Sequence, residues 1–205
     1  MAKVNAARIR TAGTAAGAGL LIAASVPPWG WWPLAFLGVA GLSRLLAGRT
    51  ARGRALVGAA VAVGWFVPSL VWMIDFTVPG YVVTVLIFGA MLAGAAAITP
   101  PGPARWVALP GSLVLMELVR WSWPFGGVPL SSLAMSQADA PLAPVVRFLG
   151  PALLVALVAL GGVALDAAAE RSWRWSGALA GAFVVLAVVS PLAPRATAGD
   201  SIDVA

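Results

Sequence analysis

The chain has 205 residues, 61% hydrophobic and 10% charged, with a net charge of +6 and a mean hydropathy of +0.96. Soluble domains carry about a quarter charged residues, so this chain cannot cover itself with polar surface, and lipid is the expected solvent. The absence of Cys and His excludes disulfides, Cys/His metal sites and thiol or imidazole catalysis from these residues. Lys and Arg number 13 against 7 Asp and Glu. In an apolar chain such an excess reads as a topology signal and as contact with anionic lipid. There is no basic run with interleaved aromatics to suggest nucleic acid.

The charges punctuate the apolar runs. Residues 11–28 and 29–43 are uncharged and flank "VPPWGWWP". Pro27, Pro28 and Gly30 break a helix there, which predicts a tight helical hairpin. Snorkelling by Arg44 extends the second limb to about Ala47. Further helices are predicted over 55–74, kinked at Pro68, and over 80–98, ended by "TPPGP". Others follow over 105–122, 148–165 and 175–193. Each is near the roughly 20 residues that cross a bilayer. Strand alternation is absent, so a membrane β-barrel is excluded. The expected fold class is all-α, a polytopic transmembrane bundle of about seven helices.

With the N-terminus in the cytoplasm, the inner segments hold Lys3, Arg8, Arg10, Arg44, Arg49, Arg52, Arg54, Arg105, Arg171 and Arg174. The outer segments hold only Arg120, Arg147 and Arg195. That asymmetry predicts a cytoplasmic N-terminus and an external C-terminus. A signal peptide cleaved after "AAS" is the competing reading of the first limb. The next apolar limb starts almost at once, which favours a retained helix. Residues 1–195 form the expected membrane domain. The tail 196–205 turns polar and alternates from Ser201, like a linker entering a strand.

Few residues offer chemistry. Glu117 lies inside the fifth helix with Arg120 one turn later, on the same face. An ionisable group within a span is a functional candidate. The plainer reading is an interfacial ion pair that fixes the helix end and braces the next loop. Asp75 is either a polar cap at the outer interface or the lining of a substrate entrance. The ten tryptophans are nearly all explained as an aromatic belt at headgroup level. The stretch 120–147 is too broken for a spanning helix and too apolar for an ordinary soluble loop. It is expected to pack across the outer helix ends, where its backbone must be satisfied by protein. Within it "WPFGGVP" holds Pro124, Phe125, Gly126 and Gly127, the glycines permitting close approach or positive φ. Gln137 and Asp139 are the expected polar anchors.

Two segments carry a resemblance: "PPWGWWPLAFLGVAGL" (27–42) and "MELVRWSWPFGGVPLSSLAMSQADAPLAPVVRFLGPALL" (116–154). They resemble the membrane half of apolipoprotein N-acyltransferases. The matching features are the Pro-Pro-x-Gly-Trp-Trp-Pro-Leu turn and Glu117-x-x-Arg120. After them come the "PFGGVP" loop and Ser136, Gln137, Asp139, Pro141 and Leu142. The Ala-, Gly- and Arg-rich composition resembles that of actinobacterial members. The resemblance implies transfer of an acyl chain from a phospholipid donor to the N-terminal diacylglyceryl-cysteine of a lipoprotein. It implies a thioester on an enzyme cysteine, within a Glu-Lys-Cys set of a nitrilase-like domain outside the membrane, and no cofactor. This chain has no Cys, and its only Lys is Lys3. No catalytic residue carries over: the resemblance puts the Glu-Lys-Cys set beyond Ala205, and the chain alone is expected to be inactive. What carries over is a multi-pass scaffold in the cell membrane and an outer loop that admits lipid, with 196–205 leading into a missing nitrilase-like domain. The competing function is a non-catalytic anchor, for example of a polyprenol-phosphate mannose synthase, docking this glycosyltransferase at the four arginines of 44–54. A small transporter is disfavoured by the few intramembrane charges and the lack of an internal repeat.

Overall fold

Tight breaks at Pro and Gly divide the chain into helices, as a computed structural model describing residues 2–124, 126 and 129–189 records. The helices are α1 (Ala2–Ser25), α2 (Pro33–Leu46), α3 (Ala51–Ser69), α4 (Val78–Ile98), α5 (Arg105–Ser122), α6 (Val146–Leu149), α7 (Pro151–Ala169) and α8 (Trp173–Val189). Three 3-10 turns lie at Val71–Asp75, Ala134–Gln137 and Ala143–Val145. No strand occurs among the described residues. Residues 190–205 lie outside the described residues. The predicted linker 196–205 falls there, and so does Ala205, beyond which the resemblance puts the catalytic set.

The hairpin between α1 and α2 forms as its residues dictate. Gly30 takes φ +66°, its N–H donates to Val26 O at 3.2 Å, and Trp31 N–H donates to Ala24 O at 3.1 Å. Pro33 then starts α2, where a missing N–H costs nothing. Thr50 caps α3 by accepting from Gly53 N–H at 3.2 Å. That cap moves the start of the third helix from the predicted residue 55 to Ala51. Its end also differs. The predicted helix runs to 74, whereas α3 ends at Ser69 and tightens into the 3-10 turn Val71–Asp75. Pro68 lacks an N–H and crowds the preceding turn, so the last turn closes at Leu70 N–H to Phe66 O, 3.1 Å. The predicted sixth helix, 148–165, is shifted. Gly150 at φ +69° and Pro151 separate the single turn α6 from α7, which continues to Ala169.

α1 packs on α2 and α3, α3 on α4, and α7 on α2, α5 and α8. The α1–α3 seam is close enough to demand glycine. A Cβ at Gly19 would lie 2.0 Å from Val61 O, and one at Gly64 would lie 2.0 Å from Ala16 O. Such backbone approach is the packing mode of helices in lipid, where small residues replace the hydrophobic drive. α7 is central, with Val155, Leu157, Val158, Ala159 and Val163 fully buried. α4 is peripheral and shows Val82, Val83 and Leu86 outward, and α8 shows Val184, Val185 and Val188. α4 and α7 are long and apolar enough to cross a membrane, while α2 and α8 are apolar but shorter. Trp29, Trp31, Trp123, Trp173 and Trp175 are exposed near helix ends, but Trp65 and Trp106 belong to the core.

One end of the bundle gathers the start of α1, the α2–α3 and α4–α5 links and the end of α7. There Gly48 N–H meets Pro101 O at 3.0 Å, and Arg54 Nη2 donates to Ala97 O at 2.8 Å. The other end gathers the α1–α2 turn, the turn Val71–Asp75 and the long segment between α5 and α7.

Candidate functional site: a loop pinned by a buried ion pair

On α5 the residues Leu109, Ser112, Leu113, Met116, Glu117 and Arg120 form one buried stripe at helical spacing. Glu117 is 0% and Arg120 1% exposed, so the pair is enclosed in protein rather than interfacial. Arg120 Nη1 lies 3.1 Å from Glu117 Oε2. Each group also makes one hydrogen bond to the following loop. Glu117 Oε1 accepts from Leu133 N–H at 2.8 Å, and Arg120 Nη2 donates to Leu130 O. The guanidinium also lies over the rings of Phe88 (4.1 Å) and Phe66 (4.9 Å) from α4 and α3. The pair thus connects α5 to the loop, at greater depth than the interfacial position expected of it.

Hydroxyls complete the attachment. Trp65 Nε1 donates to Ser131 Oγ at 3.0 Å, and Ser131 Oγ donates to Ser69 Oγ at 2.7 Å. Ser136 Oγ donates to Leu133 O at 2.7 Å. Gln137 Nε2 donates to Ser136 Oγ at 2.9 Å and to Trp32 O at 3.4 Å, joining the loop to the α1–α2 turn. In this apolar, irregular segment Leu130 O, Leu133 N–H and Leu133 O are thereby satisfied by protein groups.

Beside this loop is a cavity of about 500 Å³, walled by Trp121, Met135, Val146, Pro151 and Leu154 and carrying Ser132 and Gln137. Gln137 is fully buried, and its Oε1 accepts no hydrogen bond among the described residues. An apolar space with a few polar groups at its wall fits an amphiphile better than a polar metabolite. Among the described residues no group of three carboxylates gathers to hold a metal ion.

The other expected residues divide. Pro124 is half-buried after a cis peptide bond with Trp123. Gly126 has φ +41° in open space. Phe125 and Gly127 lie outside the described residues. Asp139 is exposed, so the anchoring expected of Gln137 and Asp139 together falls to Gln137. Asp75 is exposed at the end of its 3-10 turn, and the cap of α4 is Thr77, which accepts from Gly80 N–H at 3.3 Å.

A second polar cluster escapes the sequence reading, at the opposite end of the bundle. Asp166 Oδ2 accepts from Ser43 Oγ (2.6 Å), Trp106 Nε1 (2.8 Å) and Arg105 Nη2 (3.2 Å). Glu170 Oε1 lies 2.5 Å from both Arg105 Nη2 and Arg44 Nη1. The Arg105 hydrogen bond, with help from Arg44, holds the Glu170 carboxyl below its usual range. The cluster ties α2, α5 and α7 together. Its signal is Asp166 and Glu170 four residues apart, one face of a helix continued a turn beyond the apolar run.

Residues 18–164 match the family model described as the apolipoprotein N-acyltransferase N-terminal domain. The chain is also 30% identical over 204 aligned positions to a Ralstonia nicotianae protein named apolipoprotein N-acyltransferase. That alignment covers 88% of this chain and 38% of the relative, so the chain spans well under half the relative's length.

Proposed function

The chain belongs to the apolipoprotein N-acyltransferase family through its N-terminal domain, and we propose that it is the membrane module of such an enzyme. The enzyme moves an acyl chain from a phospholipid to the N-terminal diacylglyceryl-cysteine of a lipoprotein. The module crosses the membrane seven times, with the N-terminus inside and the C-terminus outside. The loop between α5 and α7 faces outward, seats a catalytic domain and borders the lipid entrance. The observation that carries this reading is the loop itself. A buried ion pair and a chain of hydroxyls hold it rigid around an apolar cavity. Rigid loops on a packed scaffold are where a partner domain finds a fixed seat.

The module is inactive by itself. Acyl transfer through a thioester needs a cysteine, and these 205 residues contain none. A fusion tests both statements: this chain joined to the remaining C-terminal part of the Ralstonia nicotianae relative. The readout is the mass of a reporter lipoprotein in cells depleted of their own N-acyltransferase. The fusion is expected to add one acyl chain to the reporter, and the chain alone to add none. A well-expressed fusion that leaves the reporter unchanged, while the chain retains a soluble glycosyltransferase, replaces this reading with that of a membrane anchor.

A further inference from the structure

At the end of the bundle opposite the loop, a groove of about 1040 Å³ opens between α1 and α3. Its mouth is formed by Arg8, Arg49 and Arg52. Further along both helices the lining turns apolar and forms a floor of Ala12, Ala15, Leu56, Val57 and Ala60, with Ala15 and Val57 buried and Leu56 exposed at its side. The floor residues follow the mouth by one to two helical turns on each helix. At 1.5 Å per residue the step from Arg52 to Ala60 is about 12 Å. The groove therefore changes from cationic to apolar along the helix axes, as an amphiphile does.

The charge at the mouth is uncompensated. Among the described residues none of these three arginines forms an ion pair. The described carboxylates are occupied or distant. Glu117 is paired with Arg120, Asp166 and Glu170 hold Arg44 and Arg105, and Asp75 and Asp139 are at the other end. Arg49 is held across the mouth, donating through Nε to Leu45 O at 2.6 Å and reaching Thr11 Oγ1 at 3.5 Å. The capped start of α3 adds the positive end of its helix dipole.

We propose that this groove binds an anionic glycerophospholipid of the inner leaflet, distinct from the acyl donor. The phosphate sits among Arg8, Arg49 and Arg52, and one acyl chain runs along Leu56 toward Ala15 and Ala60. A free phosphate or nucleotide would leave the apolar floor uncovered. A lipid with a cationic headgroup would bring its own charge against three guanidinium groups. The proposal rests on the membrane placement of the chain but not on acyl transfer, and binding is measured without turnover.

The test is lipid binding by the whole purified chain in a neutral detergent, followed by native mass spectrometry. The probes are phosphatidylglycerol and phosphatidylcholine of identical acyl chains. Phosphatidylglycerol is expected to bind about tenfold more tightly, since each arginine near an anionic headgroup contributes measurably. Arg8→Gln with Arg52→Gln removes two exposed side chains and is expected to bring phosphatidylglycerol down to the level of phosphatidylcholine. Arg171→Gln with Arg174→Gln removes the same charge from the same end, away from the groove, and is expected to change nothing. Leu56→Ser, at a side chain 65% exposed, is expected to weaken both lipids. Equal binding of the two lipids overturns the proposal. So does an equal loss in the two arginine pairs, which means bulk charge alone. Displacement of the lipid by millimolar inorganic phosphate, with no effect of Leu56→Ser, overturns it in favour of a simple anion site.

Discussion

At the scale of single residues the decisive feature is the enclosure of Glu117 and Arg120. Removing one member of a buried pair leaves the other charged and unpaired, at a typical cost of about 3–5 kcal/mol. Replacing both with neutral groups of similar size is far cheaper. Glu117→Ala is therefore expected to lower the thermal midpoint of the purified chain sharply. The double variant Glu117→Gln with Arg120→Met retains an acceptor for Leu133 N–H and is expected to lie nearer wild type than either single change. A Glu117→Ala protein that melts with wild type would remove the pair from the account of the loop.

At the scale of elements, α7 is fastened at both ends by different chemistry. The loop and cavity meet its start, and the Asp166–Glu170 cluster closes its end against α2 and α5. Glu170 lies just past the apolar segment, and its carboxyl is held low by Arg105. A carboxyl held lower in the folded state than in the unfolded one stabilises the fold above its unfolded pKa. That stabilisation is lost as pH falls through the depressed folded value. The chain is thus expected to lose stability on acidification below the ordinary carboxylate range. Glu170→Gln should flatten that limb of a melting-temperature series in pH while shifting the neutral value less. An unchanged acid limb in Glu170→Gln would assign the loss to another carboxylate.

At the scale of the whole molecule, the basic residues gather at one end of the bundle and the loop at the other. The proposed orientation then has a clean test, because the chain has no cysteine of its own. Single cysteines at Asp139 and at Ala104, both exposed and neither basic, report the two ends without disturbing the arginine asymmetry. In intact cells a membrane-impermeant maleimide is expected to label Asp139→Cys and to reach Ala104→Cys only after lysis. Labelling in the reverse order would invert the proposed topology, and labelling of both in intact cells would end the crossing of α5.

The helices and most of their breaks were legible in the sequence, because Pro27, Pro28, Gly30 and "TPPGP" act through local backbone sterics. The Glu117–Arg120 pair was legible for the same kind of reason, since i, i+3 spacing places two side chains on one helix face whatever surrounds them. The hairpin, the candidate loop and the family resemblance were thus properties of the sequence by itself. The tertiary structure alone decided which partners those groups have. Nothing local reveals that Asp166 meets Ser43 across 123 residues, that Gln137 and not Asp139 holds the loop, or that Arg8 and Arg52 share one groove. Each of these depends on which helix faces pack together. That is set by long-range fits such as Gly19 against Val61, where a missing side chain permits a contact that no periodicity announces.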